Sequence, residues 1–112
     1  MKLTFLGTGT STGVPELGCK CEVCTSADPR DARLRCSALL ESDGTTILID
    51  CGPDFRAQML RADVAHLDAL LVTHKHYDHI AGIDDLRPYA SQRTFPIYAN
   101  DETAQQIRSV FP

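Results

Sequence analysis

Short apolar bursts, separated by Gly-, Pro- and Asp-rich stretches, divide the chain into alternating strand and helix patterns. "KLTFL" (2–6) is a brief strand pattern stopped by the glycine-rich "GTGTSTG". The next segment, "GCKCEVCTSADPRDARLR" (18–35), is too polar and turn-rich for a regular element. "CSALLES", the dipeptide "DG" and "TTILID" then spell a hairpin over 36–50. In "GPDFRAQMLRADV" (52–64), Phe55, Met59 and Leu60 recur at helical spacing and predict a helix. "LDALLV" (67–72) is an unbroken apolar run, as expected of a strand buried on both faces. "HIAGIDDLRPYA" (79–90) predicts a short helix or turn ended by Pro88, and "FPIYAN" (95–100) another strand. "DETAQQIRSVF" (101–111) predicts a helix capped by Asn100 or Asp101. Strands alternating with helices indicate the α/β class.

The candidate chemistry sits where the apolar run over 67–72 stops. "THKHYDHIAG" (73–82) places His74, His76, Asp78 and His79 within six positions. In extended backbone, residues i and i+2 face the same way, so His74 and His76 can hold one metal ion side by side. Asp78 and His79, beyond a turn, can reach a second ion. Imidazole and carboxylate suit zinc, manganese or iron, and two ions ~3.5–4 Å apart form a hydrolytic site. A second cluster, Cys19, Cys21 and Cys24, has the C-x-C-x-x-C spacing of thiolates able to wrap one soft ion, a site that wants a fourth ligand. Cys36 is the local candidate for that position, whereas Cys51, next to Asp50, is expected to pack at a strand end. The spacing fits no common iron–sulfur run. Gly7, Gly9 and Gly13 lie one residue off the dinucleotide fingerprint, and no G-K-[ST] follows, so a tight turn with close backbone approach is the expected use.

Bulk properties narrow the picture. With 112 residues the chain is one domain at most, and a net charge of −4 leaves no basic footprint for nucleic acid. No apolar run nears the ~18 residues of a membrane span, and the N-terminus reads as a first strand, not a signal peptide. Five cysteines, an odd number, argue against a closed disulfide framework and for a reducing cytoplasm.

"HKHYDH" resembles the H-x-H-x-D-H signature of the metallo-β-lactamase-fold hydrolases, and "FLGTGTSTGVP", "ILIDCGPDFR" and "DHIAGIDDLRP" resemble the corresponding segments. The cysteine spacing resembles the branch containing the phosphoribosyl cyclic phosphodiesterases. The likeness runs along the whole chain but matches only the first half of such an enzyme, so residues 1–112 are expected to be a single, partial domain of an αββα sandwich. It implies that His74 and His76 bind the first ion and Asp78 and His79 the second, and that Asp78 also orients or deprotonates the attacking water. It further implies that Asp50 steadies the metal loop and that Cys19, Cys21 and Cys24 hold a structural zinc completed by a distant histidine. The implied activity is a metal-dependent phosphodiesterase, in which a hydroxide shared by two ions attacks a small, cyclic phosphate ester; zinc is expected, with manganese or iron as alternatives. A tRNA 3′-processing endonuclease of the same fold and a non-catalytic metal-binding or assembly module are the rivals. A relative from pyrroloquinoline quinone biosynthesis carries similar cysteines, but its metal signature is expected to be degenerate.

The ligand count is short. A catalytic zinc generally takes three protein ligands plus water, and here there are two per ion. His66 is ~26 Å of extended strand from His74 and cannot contribute. Asp84 and Asp85 follow His79 too closely to bridge two ions. Arg87, eight residues past His79, is a candidate phosphate clamp, while Arg30, Arg33 and Arg35 are expected to be solvated. Five strands of ~5 residues leave a sheet face of ~400 Å² for a missing half to cover. Self-association, or pairing with that half, is therefore expected.

Overall fold

The computed structural model describes residues 1–91 and 94–111. Five strands form one sheet in the order β1-β2-β3-β4-β5, made of Lys2–Gly7, Ser37–Ser42, Thr45–Ile49, Ala69–Leu71 and Ile97–Tyr98. The first three run antiparallel and the last two join in parallel. That switch follows from the connections. Asp43 and Gly44 both adopt left-handed backbone (φ 51° and 80°), the pair of angles a two-residue hairpin turn needs. From β3 onward each return to the sheet needs a helical crossover. Helix α1 (Phe55–Ala62) makes the first, and α2 (Tyr77–Ile80), a 3-10 turn (Ile83–Leu86) and α3 (Arg87–Ala90) make the second. Helix α4 (Asp101–Val110) closes the chain, with Asn100 as its cap: the Asn100 Oδ1 accepts from the Thr103 N–H at 2.9 Å.

The glycine loop uses its close approach against β2's entry, not against the metal loop. A Cβ on Gly7 would lie 1.9 Å from the Arg35 carbonyl oxygen, so no larger residue fits. The cysteine segment that follows has a single 3-10 turn, Pro29–Asp31, and is otherwise irregular.

The two faces of the sheet differ. Leu6, Leu39, Leu48, Leu70 and Val72 cluster with Phe55, Met59, Ile80, Ile83, Leu86 and Ile107 from the helical segments. Across the other face, cross-strand neighbours run Leu3–Leu40–Ile47 and Ile49–Leu71–Tyr98. There Leu3 is 52% exposed, Leu71 42% and Tyr98 61%. This corrects one expectation: β4 is not buried on both faces, because Leu70 is fully covered while Leu71 is open. Pro88 also differs. It occupies the start of α3, where its missing N–H costs nothing, and does not end a helix. Among the described residues no helix is long and apolar enough to cross a membrane.

Candidate metal centre

Strand β4 delivers the histidines. Beyond Leu71, the Val72 N–H still donates to the Tyr98 carbonyl, so the chain leaves the sheet only at Thr73. Extended backbone persists to His76 (φ −64°, ψ 148°), and α2 then turns Asp78 and His79 back toward His74. The His74 ring centroid lies 4.6 Å from that of His76 and 4.0 Å from that of His79. His79 Nε2 is 3.0 Å from Asp78 Oδ2, and both side chains are largely buried. His74 thus lies beside both His76 and His79, and His79 beside Asp78, at the carboxyl end of β4, where ligands bind in open α/β sheets, although no three of their ligand atoms come within 4.8 Å of one another.

Asp50 holds this loop in place. It ends β3 in left-handed backbone (φ 63°) and is 3% exposed. Its Oδ1 accepts from the Thr73 N–H at 2.7 Å; its Oδ2 accepts from the Thr73 hydroxyl at 2.7 Å and faces His79 Nδ1 at 2.6 Å. Thr73 Oγ1 is also 2.9 Å from His74 Nδ1. Behind these contacts two backbones touch. The Cys51 N–H donates to the His79 carbonyl and the Gly82 N–H to the Cys51 carbonyl, each at 2.9 Å. A Cβ on Gly52 would sit 2.1 Å from the Asp78 oxygen, and one on Gly82 would sit 2.1 Å from the Gly52 oxygen. Cys51 is fully buried there; burial, reinforced by the charges of Asp85 and Asp50, pushes its thiol far up, so it is a packing residue.

The cysteine cluster is a separate construction. The Sγ atoms of Cys19, Cys21 and Cys24 all lie within 4.8 Å of one another. Among the described residues this is the one group in which three metal-ligating side chains come that close. Cys36 is exposed and stands outside it, so the structure does not supply the fourth ligand proposed from sequence. The Cys24 N–H, 3.4 Å from Cys21 Sγ, and then the Cys19 and Cys24 thiols lower the Cys21 pKa to about 7. For Cys24 the Glu16 N–H pulls downward, but Cys19, desolvation and Cys21 outweigh it and the net shift is upward.

The remaining residues divide clearly. Arg87 is exposed, pairs with Asp84 at 3.0 Å, and lines a cavity of about 650 Å³ between α1 and α3; none of the four metal-loop residues lines that cavity. His66 pairs with Asp68 at the opposite end of β4. Arg35 is not the solvated residue its sequence context suggests. Its guanidinium and backbone N–H both reach Asp54 at 2.9 Å, and Gln58 donates to its carbonyl, joining the loop before β2 to α1. Thr73 and Asp54 escaped the sequence reading. The signal for Thr73 was a hydroxyl directly before H-x-H, whereas nothing local marks Asp54.

A family profile described as the beta-lactamase superfamily domain matches residues 45–112. The chain belongs to that superfamily. It is 51% identical over 109 residues to an octanoyltransferase of Porphyromonas gingivalis, covering 96% of this chain but 22% of that protein. To a ribonuclease Z of Methanococcus maripaludis it is 35% identical, over 98% of this chain and 32% of the other. Among solved structures, a new diphosphatase from the PhnP family superposes with TM-score 0.93 at 49% identity, over 97% of this chain and 45% of that one. The Zn(2+)-bound PqqB of Methylobacterium extorquens superposes with TM-score 0.83 at 26% identity, over 97% and 40%. The chain thus spans less than half the length of these relatives, and its sheet with one covered face is the corresponding part of a metallo-β-lactamase fold.

Proposed function

We propose that residues 1–112 form the N-terminal half-site of a metal-dependent phosphodiesterase acting on a small phosphate ester, a cyclic ribose phosphate being the substrate class of choice. The observation that carries this is the placing of His74 beside His76 and His79, with His79 between Asp78 and the buried Asp50. The likeness to a PhnP-family diphosphatase supports phosphate-ester chemistry over the other activities of the fold.

The residues fit a pair of divalent ions, because their donors are imidazole nitrogen and carboxylate oxygen and two of the rings have Nδ1 engaged by neighbours. His74 and His76 would hold one ion, and Asp78 and His79 the other. Bound ions would supply an activated water and offset charge on the phosphate. Asp78 Oδ2 lies 3.0 Å from His79 Nε2, where the two would share the second ion, and the other Asp78 oxygen would orient the water and take its proton. Asp50 holds His79 and the Thr73 backbone still while this happens. Cys19, Cys21 and Cys24 would hold a structural zinc that takes no part in the reaction. Ligands absent from this chain, and a cover for the open sheet face, would come from the other half, so the 112 residues alone should show little or no turnover. The net charge of −4 weighs against the ribonuclease Z reading, despite that relative's 35% identity.

The test combines metal content per chain with hydrolysis of bis(p-nitrophenyl) phosphate, with and without the complementary half. Turnover appearing only with both halves is the expected result. Ordinary enzyme rates of ~1 s⁻¹ from the isolated chain would overturn the half-site reading, and cleavage of precursor tRNA in preference to small esters would favour the nuclease.

A further inference from the structure

We infer that Thr73 is a positioning residue: its hydroxyl relays the orientation set by Asp50 to the His74 ring, so that one buried carboxylate ties down the Nδ1 side of both His74 and His79. The hydrogen bonds stand on their own; their consequence for metal binding rests on the reading proposed above.

An ionised carboxylate only accepts hydrogen bonds, so all three contacts to Asp50 are donated to it. The Thr73 N–H goes to Oδ1, and the Thr73 hydroxyl and His79 Nδ1–H go to Oδ2. A threonine hydroxyl has one proton, and here it is spent on Asp50. The 2.9 Å contact between Thr73 Oγ1 and His74 Nδ1 is therefore a bond that the ring donates. His74 is thereby held as its Nδ1–H tautomer, with the lone pair on Nε2. His79 gives its Nδ1–H to Asp50 directly, while its Nε2 faces Asp78 Oδ2 at 3.0 Å. Two rings 4.0 Å apart thus have Nδ1 tied to the same carboxylate, one through a direct bond and one through a single hydroxyl. His76 has no comparable hydrogen bond among the described residues and is left to follow the metal.

The relay requires a hydroxyl and not merely a β-branched shape. Thr73→Ser keeps it, and Thr73→Val removes it while preserving volume at an exposed position. The backbone N–H to Asp50 survives in both variants. Loss of the relay should weaken the ion shared by His74 and His76 about 10–100-fold and spare the one held by Asp78 and His79, since partners that orient a ligating histidine are worth that much.

The experiment uses the intact protein carrying this sequence, with ¹⁵N-labelled histidine, metal removed, at a pH where the imidazoles are neutral; a His74→Gln variant assigns the signals. Long-range ¹H–¹⁵N correlation reads the tautomer, and zinc titration follows. We expect His74 as Nδ1–H in the native protein and Thr73→Ser, a loss of that preference in Thr73→Val, and His79 unchanged in all three. An Nε2–H His74 in the native protein, or a Thr73→Val signature equal to native, overturns the relay. The native tautomer pattern without zinc binding at the histidines overturns the metal reading and leaves the relay standing.

Discussion

The cysteine loop and the histidine loop look alike in sequence, each packing its ligands into six positions, yet they are built in opposite ways. Cys19, Cys21 and Cys24 bring their sulfurs within 4.8 Å of one another using one loop and backbone N–H contacts, with Cys19 and Cys24 only partly buried and Cys21 exposed. His74, His76, Asp78 and His79 converge only because β3, β4 and α2 are locked together through Asp50 and the Gly52–Gly82 contact. A local cluster survives damage elsewhere in the fold. A cluster assembled from strand ends depends on everything that sets those ends.

That difference orders the expected outcomes. In the intact protein, Asp78→Ala should lower turnover ~10²–10⁴-fold while thiol-bound zinc stays at one per chain, measured by hydrolysis and metal analysis. Asp50→Ala should do damage of another kind. It orphans the Thr73 N–H and a ring N–H, which should cost about 3 kcal/mol in denaturant unfolding and weaken metal at the histidines, again sparing the cysteines.

Cys21→Ser is the converse change, and should abolish zinc at the cysteines without altering turnover-linked metal. Its pH dependence is specific. With a pKa lowered to about 7 from an ordinary 9.0, Cys21 is a thiolate above pH 7 and becomes a thiol as the pH falls through 7. In metal-free protein, alkylation of Cys21 should therefore reach half its maximal rate near pH 7. A midpoint near 9 would contradict the hydrogen-bonded geometry.

Smaller effects belong to the open face. The isolated chain should self-associate in sedimentation, and Leu71→Lys should shift it toward monomer, because Leu71 lies centrally on the uncovered side. His66→Ala should change metal content at neither cluster.

How much of this was legible follows the range of the interactions. The hairpin was readable because Asp43-Gly44 carries its own turn chemistry, and α4 because Asn100 caps it locally. The nearness of His74 to His76 was readable because i, i+2 spacing on extended backbone is a local geometric fact. Long-range consequences were not. A continuous apolar run at 67–72 signalled burial but could not say that Leu71 faces an uncovered side. Nor could local spacing show Arg35 tied to Asp54 across 19 residues, or exclude Cys36 from the cysteine cluster. Arg87 was nominated by its nearness to His79 in sequence, but the 3-10 turn and α3 carry it to the α1 side, where Asp84 holds it.

The contact between Gly52 and Gly82 has a consequence for mutational tolerance. Neither residue carries a functional group, yet at each the first carbon of any side chain would meet a carbonyl oxygen at 2.1 Å. In a saturation library selected for function, both positions should appear as blank columns, rejecting even alanine, alongside the histidines themselves. A survey that equates intolerance with chemistry would count them as active-site residues, when what they contribute is the absence of an atom.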